Sequence, residues 1–138
     1  MPGPRVVILA DDLIWSTRLV AATRAAGAEP IAVRSSSALT AALAAIVAPD
    51  RRFAIVDLTA RAYDGVAAVA AAAAAGANVL AVGQHDDVDL RKLALAAGAS
   101  RVFAYRKLAD DGPRTIGAWL DARVPAETAR RASEVAAP

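Results

Sequence analysis

Residues 53–65 read Phe-Ala-Ile-Val-Asp-Leu-Thr-Ala-Arg-Ala-Tyr-Asp-Gly. Phe53 to Val56 is a continuous apolar run with no polar alternation, the pattern of a strand buried on both faces. The run ends on Asp57. Seven residues later Asp64 stands where a helix N-cap belongs, ahead of Gly65, Val66 and an alanine-rich segment. This one stretch therefore predicts a buried strand with an acidic carboxyl end, a short loop, and a helix.

The same unit repeats on either side. Apolar runs at Val6 to Ala10, Ile31 to Val33, Val79 to Val82 and Val102 to Tyr105 alternate with segments of helical spacing. Asp12 can cap a helix burying Trp15, Leu19, Ala22 and Ala26, with Gly27 as its stop. Ser35, Ser36 and Ser37 precede Leu39, Ala42, Leu43 and Ile46, and Pro49 closes that helix. Asp64 caps a helix burying Val66, Val69, Ala70 and Ala73; Asp87 or Asp89 opens one burying Leu90, Leu93, Ala94 and Ala97, stopped by Gly98. Pro113 suits the first turn of a last helix carrying Ile116, Trp119 and Leu120. Five strand-helix repeats joined by right-handed crossovers make an α/β domain, an open parallel sheet with helices on both faces.

Composition agrees with one such domain. The chain has 138 residues, 57% hydrophobic but only 4% aromatic, so its interior must be packed with Ala, Val, Leu and Ile. Residues 1–122 read as the domain, and residues 123–138 as a frayed helix or disordered tail. The alanine-dominated run from Val66 to Ala75 is too short to span a bilayer, so no membrane association is expected. There are no cysteines, which excludes a disulfide scaffold, a thiolate zinc site and a cysteine nucleophile. Without a secretory-type leader the expected location is cytoplasmic. The net charge of +2 rests on 16 cations against 14 anions scattered along the chain, so a nucleic-acid partner is not expected.

Ligands of open parallel sheets bind at the carboxyl ends of the strands. There the first run ends in Asp11 and Asp12, the third in Asp57, the fourth in Gly83-Gln84-His85, and the fifth in Tyr105-Arg106-Lys107. If the first and third strands are neighbours, three carboxylates crowd together, and they repel unless a cation joins them. A hard divalent ion with oxygen ligands, Mg²⁺, would serve. Singly, Asp12 reads equally as a helix cap and Asp57 as a solvated loop residue.

Val6 to Leu13, Phe53 to Gly65, Val79 to Val82 and Ala97 to Ala99 together resemble the receiver domain of response regulators, over residues 5 to about 122. The resemblance implies a flavodoxin-like (βα)5 fold with strand order 2-1-3-4-5. It implies a phosphoacceptor at Asp57, followed at the family spacing by Asp64-Gly65. It further implies Mg²⁺ held by Asp12, Asp57 and the Thr59 carbonyl, with Asp11 acting through water. The partners it implies are a histidine kinase, a phosphotransfer protein or another signalling protein, with a homodimer through the fourth helix, fifth strand and fifth helix. Such a domain is not an enzyme beyond phosphoryl transfer to its own Asp57.

Two family positions depart from the pattern and read as a degenerate switch. Gly83 stands where a Ser or Thr hydroxyl ends the fourth strand, and Tyr105 stands where a Lys ends the fifth. Lys107, expected on the same strand face as Tyr105, either partly substitutes or is a solvated charge. The aromatic of the switch falls at Val102 or Phe103. Arg61 either reaches the acids and replaces the cation or is a plain surface residue. His85, the single histidine, reads as solvent-facing. These departures make the expected protein an atypical or pseudo-receiver of two-component (phosphorelay) signal transduction that acts through protein-protein interaction. The competing class is a small flavodoxin-like cofactor-binding enzyme or carrier. The chain has no Gly-x-Gly-x-x-Gly, phosphate-loop or cobalamin motif for it, and a colourless purified protein would remove it.

Overall fold

A computed structural model describes residues 3–122. Among these, five strands, β1 (Arg5–Leu9), β2 (Glu29–Val33), β3 (Phe53–Asp57), β4 (Asn78–Gly83) and β5 (Arg101–Ala104), alternate with five helices, α1 (Leu13–Ala25), α2 (Ser36–Ala44), α3 (Gly65–Ala74), α4 (Val88–Ala97) and α5 (Tyr105–Asp121). All pairings are parallel, in the order β2-β1-β3-β4-β5. The expected fold class and strand order are thus observed. The tail expected from Arg123 onward lies outside the described residues. No helix among the described residues is long and apolar enough to cross a membrane.

Strand side chains alternate between the two faces of the sheet, and that alternation builds two cores. Val6, Ile8, Phe53, Ile55 and Leu80 pack with Leu19 of α1 and Ile116 and Trp119 of α5. On the opposite face Val7, Leu9, Val56 and Ala81 meet Leu39 and Leu43 of α2, Val69 of α3 and Ala94 of α4. The edge strand β2 is only half buried, whereas β3 is buried along its whole length.

Four helices begin on side-chain caps. Asp12, Ser35, Asp64 and Asp87 accept from the amides of Trp15 (3.0 Å), Ala38 (3.1 Å), Ala67 (3.1 Å) and Leu90 (3.1 Å). Each contributes about 1 kcal/mol. The α3–β3 junction also requires its glycine by packing: a Cβ on Gly65 would lie 2.7 Å from the Leu58 Cα.

The structure corrects the sequence at several points. On α3 the buried face is Ala68, Val69 and Ala72, while Ala70 is exposed, because a nearly pure alanine helix carries no phase for periodicity to read. Ile46 is buried but lies beyond the end of α2, and Leu93 on α4 is exposed. Tyr105 does not end β5; it opens α5. This helix breaks at Asp111, whose φ of −146° is non-helical, and the expected helix with Pro113 in its first turn is the second half. Lys107 is therefore not on a strand face with Tyr105. In a helix, residues two apart point in different directions.

Candidate functional site

The register of the sheet assembles the site. Leu9 pairs with Val56, Asp57 with Val82, and Gly83 with Ala104, so Asp11, Asp57, Gln84 and Tyr105 emerge side by side at the carboxyl edge. Asp11, Asp12, Trp15, Asp57, Thr59, Arg61, Gln84 and Tyr105 line one open cleft of about 580 Å³. Asp57, the last residue of a fully buried strand, is only 2% exposed.

A carboxylate so placed must be hydrogen-bonded to persist. Its Oδ1 accepts from the Thr59 amide (3.1 Å) and the Thr59 hydroxyl (3.1 Å). The Tyr105 hydroxyl also donates to that oxygen and lies against the Thr59 hydroxyl. Its Oδ2 accepts nothing among the described residues and is not among the orphaned buried atoms, which leaves it turned to the cleft. Bonds from a hydroxyl to an ionised acceptor are about twice as strong as neutral ones. The Tyr105 proton is correspondingly hard to remove: burial, then the bond to Asp57, hold its pKa well above the ordinary tyrosine range.

The other two acids are structurally engaged. Asp11 Oδ2 accepts from the amides of Arg61 (3.1 Å) and Ala62 (3.1 Å), tying the β3–α3 loop to the end of β1. Asp12 Oδ1 caps α1. Each acid still keeps one oxygen with no hydrogen bond among the described residues. With the Thr59 carbonyl, these are the all-oxygen donors a hard cation takes. The donor chemistry thus suits Mg²⁺. As they stand, however, no three His, Cys, Asp or Glu side chains among the described residues form a metal-holding group.

The remaining expectations separate cleanly. Arg61 lines the cleft, but among the described residues the one ion pair is Arg106–Asp110 (3.7 Å), so its guanidinium does not neutralise the acids. Lys107 and His85 are exposed and line a different depression with Arg106, Asp110 and Asp111. Lys107 is thus not a stand-in for the missing strand-end lysine. Val102 belongs to the α4 side of the sheet and Phe103 to the α1–α5 side. Gly83 offers no hydroxyl, and a Cβ added there would meet the Leu58 and Leu90 side chains at ordinary contact distance.

Two aromatic residues enter the site that the sequence reading did not place there. The Tyr63 hydroxyl donates to the carbonyls of Asp57 (2.7 Å) and Leu9 (3.0 Å), bracing the ends of β3 and β1 from the α3 side. Burial, and then the charges of Asp57 and Asp11, push its pKa up strongly. Its position just ahead of the Asp64 cap was the available signal, since an apolar residue there packs back on the first turn of the helix, where Tyr63 joins the core with Ala68. Trp15, expected only as a core residue, packs on Tyr105 with ring centroids 4.4 Å apart. Nothing in the sequence links positions 15 and 105.

No protein-family model matches the sequence, and no curated protein matches it. Solved structures do. The chain is similar to a response regulator receiver protein from Burkholderia phymatum, with 25% identity, 88% of this chain and 98% of that one covered, and a TM-score of 0.69. It is similar to a response regulator receiver domain protein from Clostridium thermocellum, with 16% identity, coverage of 86% and 94%, and a TM-score of 0.71. A response regulator protein from Burkholderia pseudomallei, solved with a phosphorylated aspartic acid, a calcium ion and citrate, matches at 14% identity over 98% of this chain and 75% of that one, with a TM-score of 0.68. The chain has the receiver-domain fold.

Proposed function

We propose that this chain, having the receiver-domain fold, is an atypical receiver of two-component signal transduction, in which Asp57 is a phosphoacceptor held in reserve by Tyr105. One observation carries the reading: Asp57 stands at the carboxyl end of β3 in the same cleft as Asp11, Asp12 and Thr59, with its Oδ1 bonded to the Tyr105 hydroxyl and its Oδ2 turned to the cleft. Oδ2 is the oxygen that attacks a phosphoryl group presented by a phosphohistidine or a small acyl phosphate; the new P–O bond forms as the donor's bond to phosphorus breaks and its leaving group departs. Asp12, Asp57 and the Thr59 carbonyl, with Asp11 through water, would hold Mg²⁺, whose charge offsets the repulsion between carboxylate and phosphoryl oxygens. The residues of the chain do the rest: Thr59 orients Asp57, and Tyr105 must yield its bond before the phosphorylated side chain can turn.

The protein is then a signalling partner and not a metabolic enzyme. Its docking partner is a histidine kinase, a phosphotransfer protein or another signalling protein, with the α4–β5–α5 face, carrying Arg91, Lys92, Arg101 and Arg114, as the contact for that partner or for a second copy. A second reading, a pseudo-receiver recognised through a fixed surface, is favoured by Gly83 and Tyr105 at the two switch positions.

Acetyl phosphate with Mg²⁺, followed by intact-mass measurement, separates the two. Slow addition of one phosphoryl group to the wild type, faster addition to Tyr105→Phe and none to Asp57→Ala support the acceptor. No addition to wild type or Tyr105→Phe leaves the pseudo-receiver.

A further inference from the structure

The sheet divides the surroundings of Asp57 into two unequal halves. Toward α3 and α4 the Asp57 side chain has no polar partner among the described residues: Tyr63 on that face bonds the Asp57 carbonyl (2.7 Å) and not its side chain, and the end of β4 is Gly83, where an added Cβ would meet the alkyl groups of Leu58 and Leu90. Toward α1 there is a continuous chain of contacts. The Tyr105 hydroxyl is bonded to Asp57, and the Tyr105 ring packs on Trp15 at 4.4 Å. Trp15 in turn lies in the first turn of α1, where its amide is held by the Asp12 cap and the Arg18 guanidinium sits 5.2 Å over its indole. Tyr105, Trp15 and Phe103 all pack with the core shared by α1 and α5, on the opposite face of the sheet from α4.

We infer that the state of Asp57 is reported to helix α1 through Tyr105 and Trp15, and not across the sheet to α4. The physical reason is the placement of the donors: those of Thr59 belong to the loop that follows Asp57 itself, whereas Tyr105 comes from a different element, the start of α5. A change at Asp57 that takes away its Oδ1 as an acceptor releases the Tyr105 hydroxyl, whose next favourable position moves the ring against Trp15. With no hydroxyl at position 83, nothing equivalent pulls on the β4–α4 loop. The proposal concerns the same acid site as the proposed function but stands without phosphoryl transfer, since any change at Asp57 that frees Tyr105 engages it.

The test is a double-mutant cycle on the full chain with neither metal nor phosphoryl donor present, so failure of Asp57 as an acceptor leaves its answer unaffected. Asp57→Ala is made in the wild type and in Tyr105→Phe, and backbone amides with the two indole N–H signals are followed by NMR. Expected is movement of the Trp15 indole and of the amides of residues 15–19, several-fold larger than that of residues 90–97, when Asp57→Ala is made in the wild type. In the Tyr105→Phe background the same substitution should leave the α1 signals in place and move only the Thr59 loop. Equal movement of α1 in both backgrounds, or a response centred on α4, would overturn the inference. Should Asp57→Ala not fold, Asp57→Asn, a weaker acceptor of the same shape, runs through the same cycle with the same two outcomes.

Discussion

The chemistry of this protein turns on single atoms at residues 57, 83 and 105. Asp57, Asp11 and Asp12 were legible because each stands where an apolar run ends, whereas Thr59 was named only through the family resemblance. Tyr105 was legible as a departure but not as a donor, since only the fold brings its hydroxyl to Asp57. Gly83 is a different case, because no packing reason demands it. A Cβ there would meet Leu58 Cδ1 at 3.5 Å and Leu90 Cδ2 at 4.0 Å, and its φ is not in the left-handed region. Gly83→Ala should therefore fold with a Tm equal to or above that of the wild type, since glycine within a strand costs about 0.5–1 kcal/mol relative to alanine. A thermal melt checks this, and a large loss would show that the glycine is structural. Glycine at this position is thus not imposed by the packing of the scaffold.

At the scale of elements, two junctions make opposite predictions. Gly65 opens α3 in contact with the backbone of Leu58, at 2.7 Å from its Cα and 2.8 Å from its carbonyl oxygen for an added Cβ. Gly65→Ala must push α3 off β3, and an overpacked site of this kind costs about 1–3 kcal/mol; the midpoint of a urea unfolding curve should fall accordingly. On α1 and α5 the hydroxyls of Thr23 and Thr115 are buried without a hydrogen-bond partner among the described residues. Removing an unsatisfied buried hydroxyl while keeping the side chain's shape recovers about 1 kcal/mol. Thr23→Val should thus raise the urea midpoint at constant m-value. The starts of α1 to α4 were readable because their caps are local, whereas α5, which opens at Tyr105 without a side-chain cap, was not. The buried faces of α3 and α4 were not: alanine gives no hydrophobic contrast, and Leu93 and Leu95 on α4 are 56% and 45% exposed.

For the whole molecule, the two site tyrosines brace the sheet from opposite sides, Tyr63 with the α3 core and Tyr105 with the α1–α5 core. Both have pKa values raised by burial first and by Asp57 next, either through its charge or through its hydrogen bond. The unfolded chain loses these protons near the ordinary tyrosine value of about 10 while the folded chain retains them. Above that pH the native state binds more protons than the unfolded state, so stability falls as pH rises. Their contribution is fully present below pH of about 10 and is lost above it. Tyr105→Phe should make this alkaline loss shallower, measured as urea midpoints from pH 8 to 11, whereas an unchanged slope would mean that Tyr105 titrates alike in both states.

The sequence by itself determined the strand-helix alternation, the parallel sheet and the three acids at its carboxyl edge. Those features follow from local patterning and from which residue ends each apolar run. Only the tertiary structure decided that Tyr105 belongs to a helix and closes over Asp57, that Trp15 backs it, that Tyr63 ties β1 to β3, and that Lys107 and Arg61 do not serve the acids. Apart from the Tyr63–Asp57 bond, these are pairings between residues 46 to 90 positions apart in the chain, or side-chain directions at a strand-to-helix junction. Such directions are set by the packing of whole elements against the sheet, a property that local spacing does not encode.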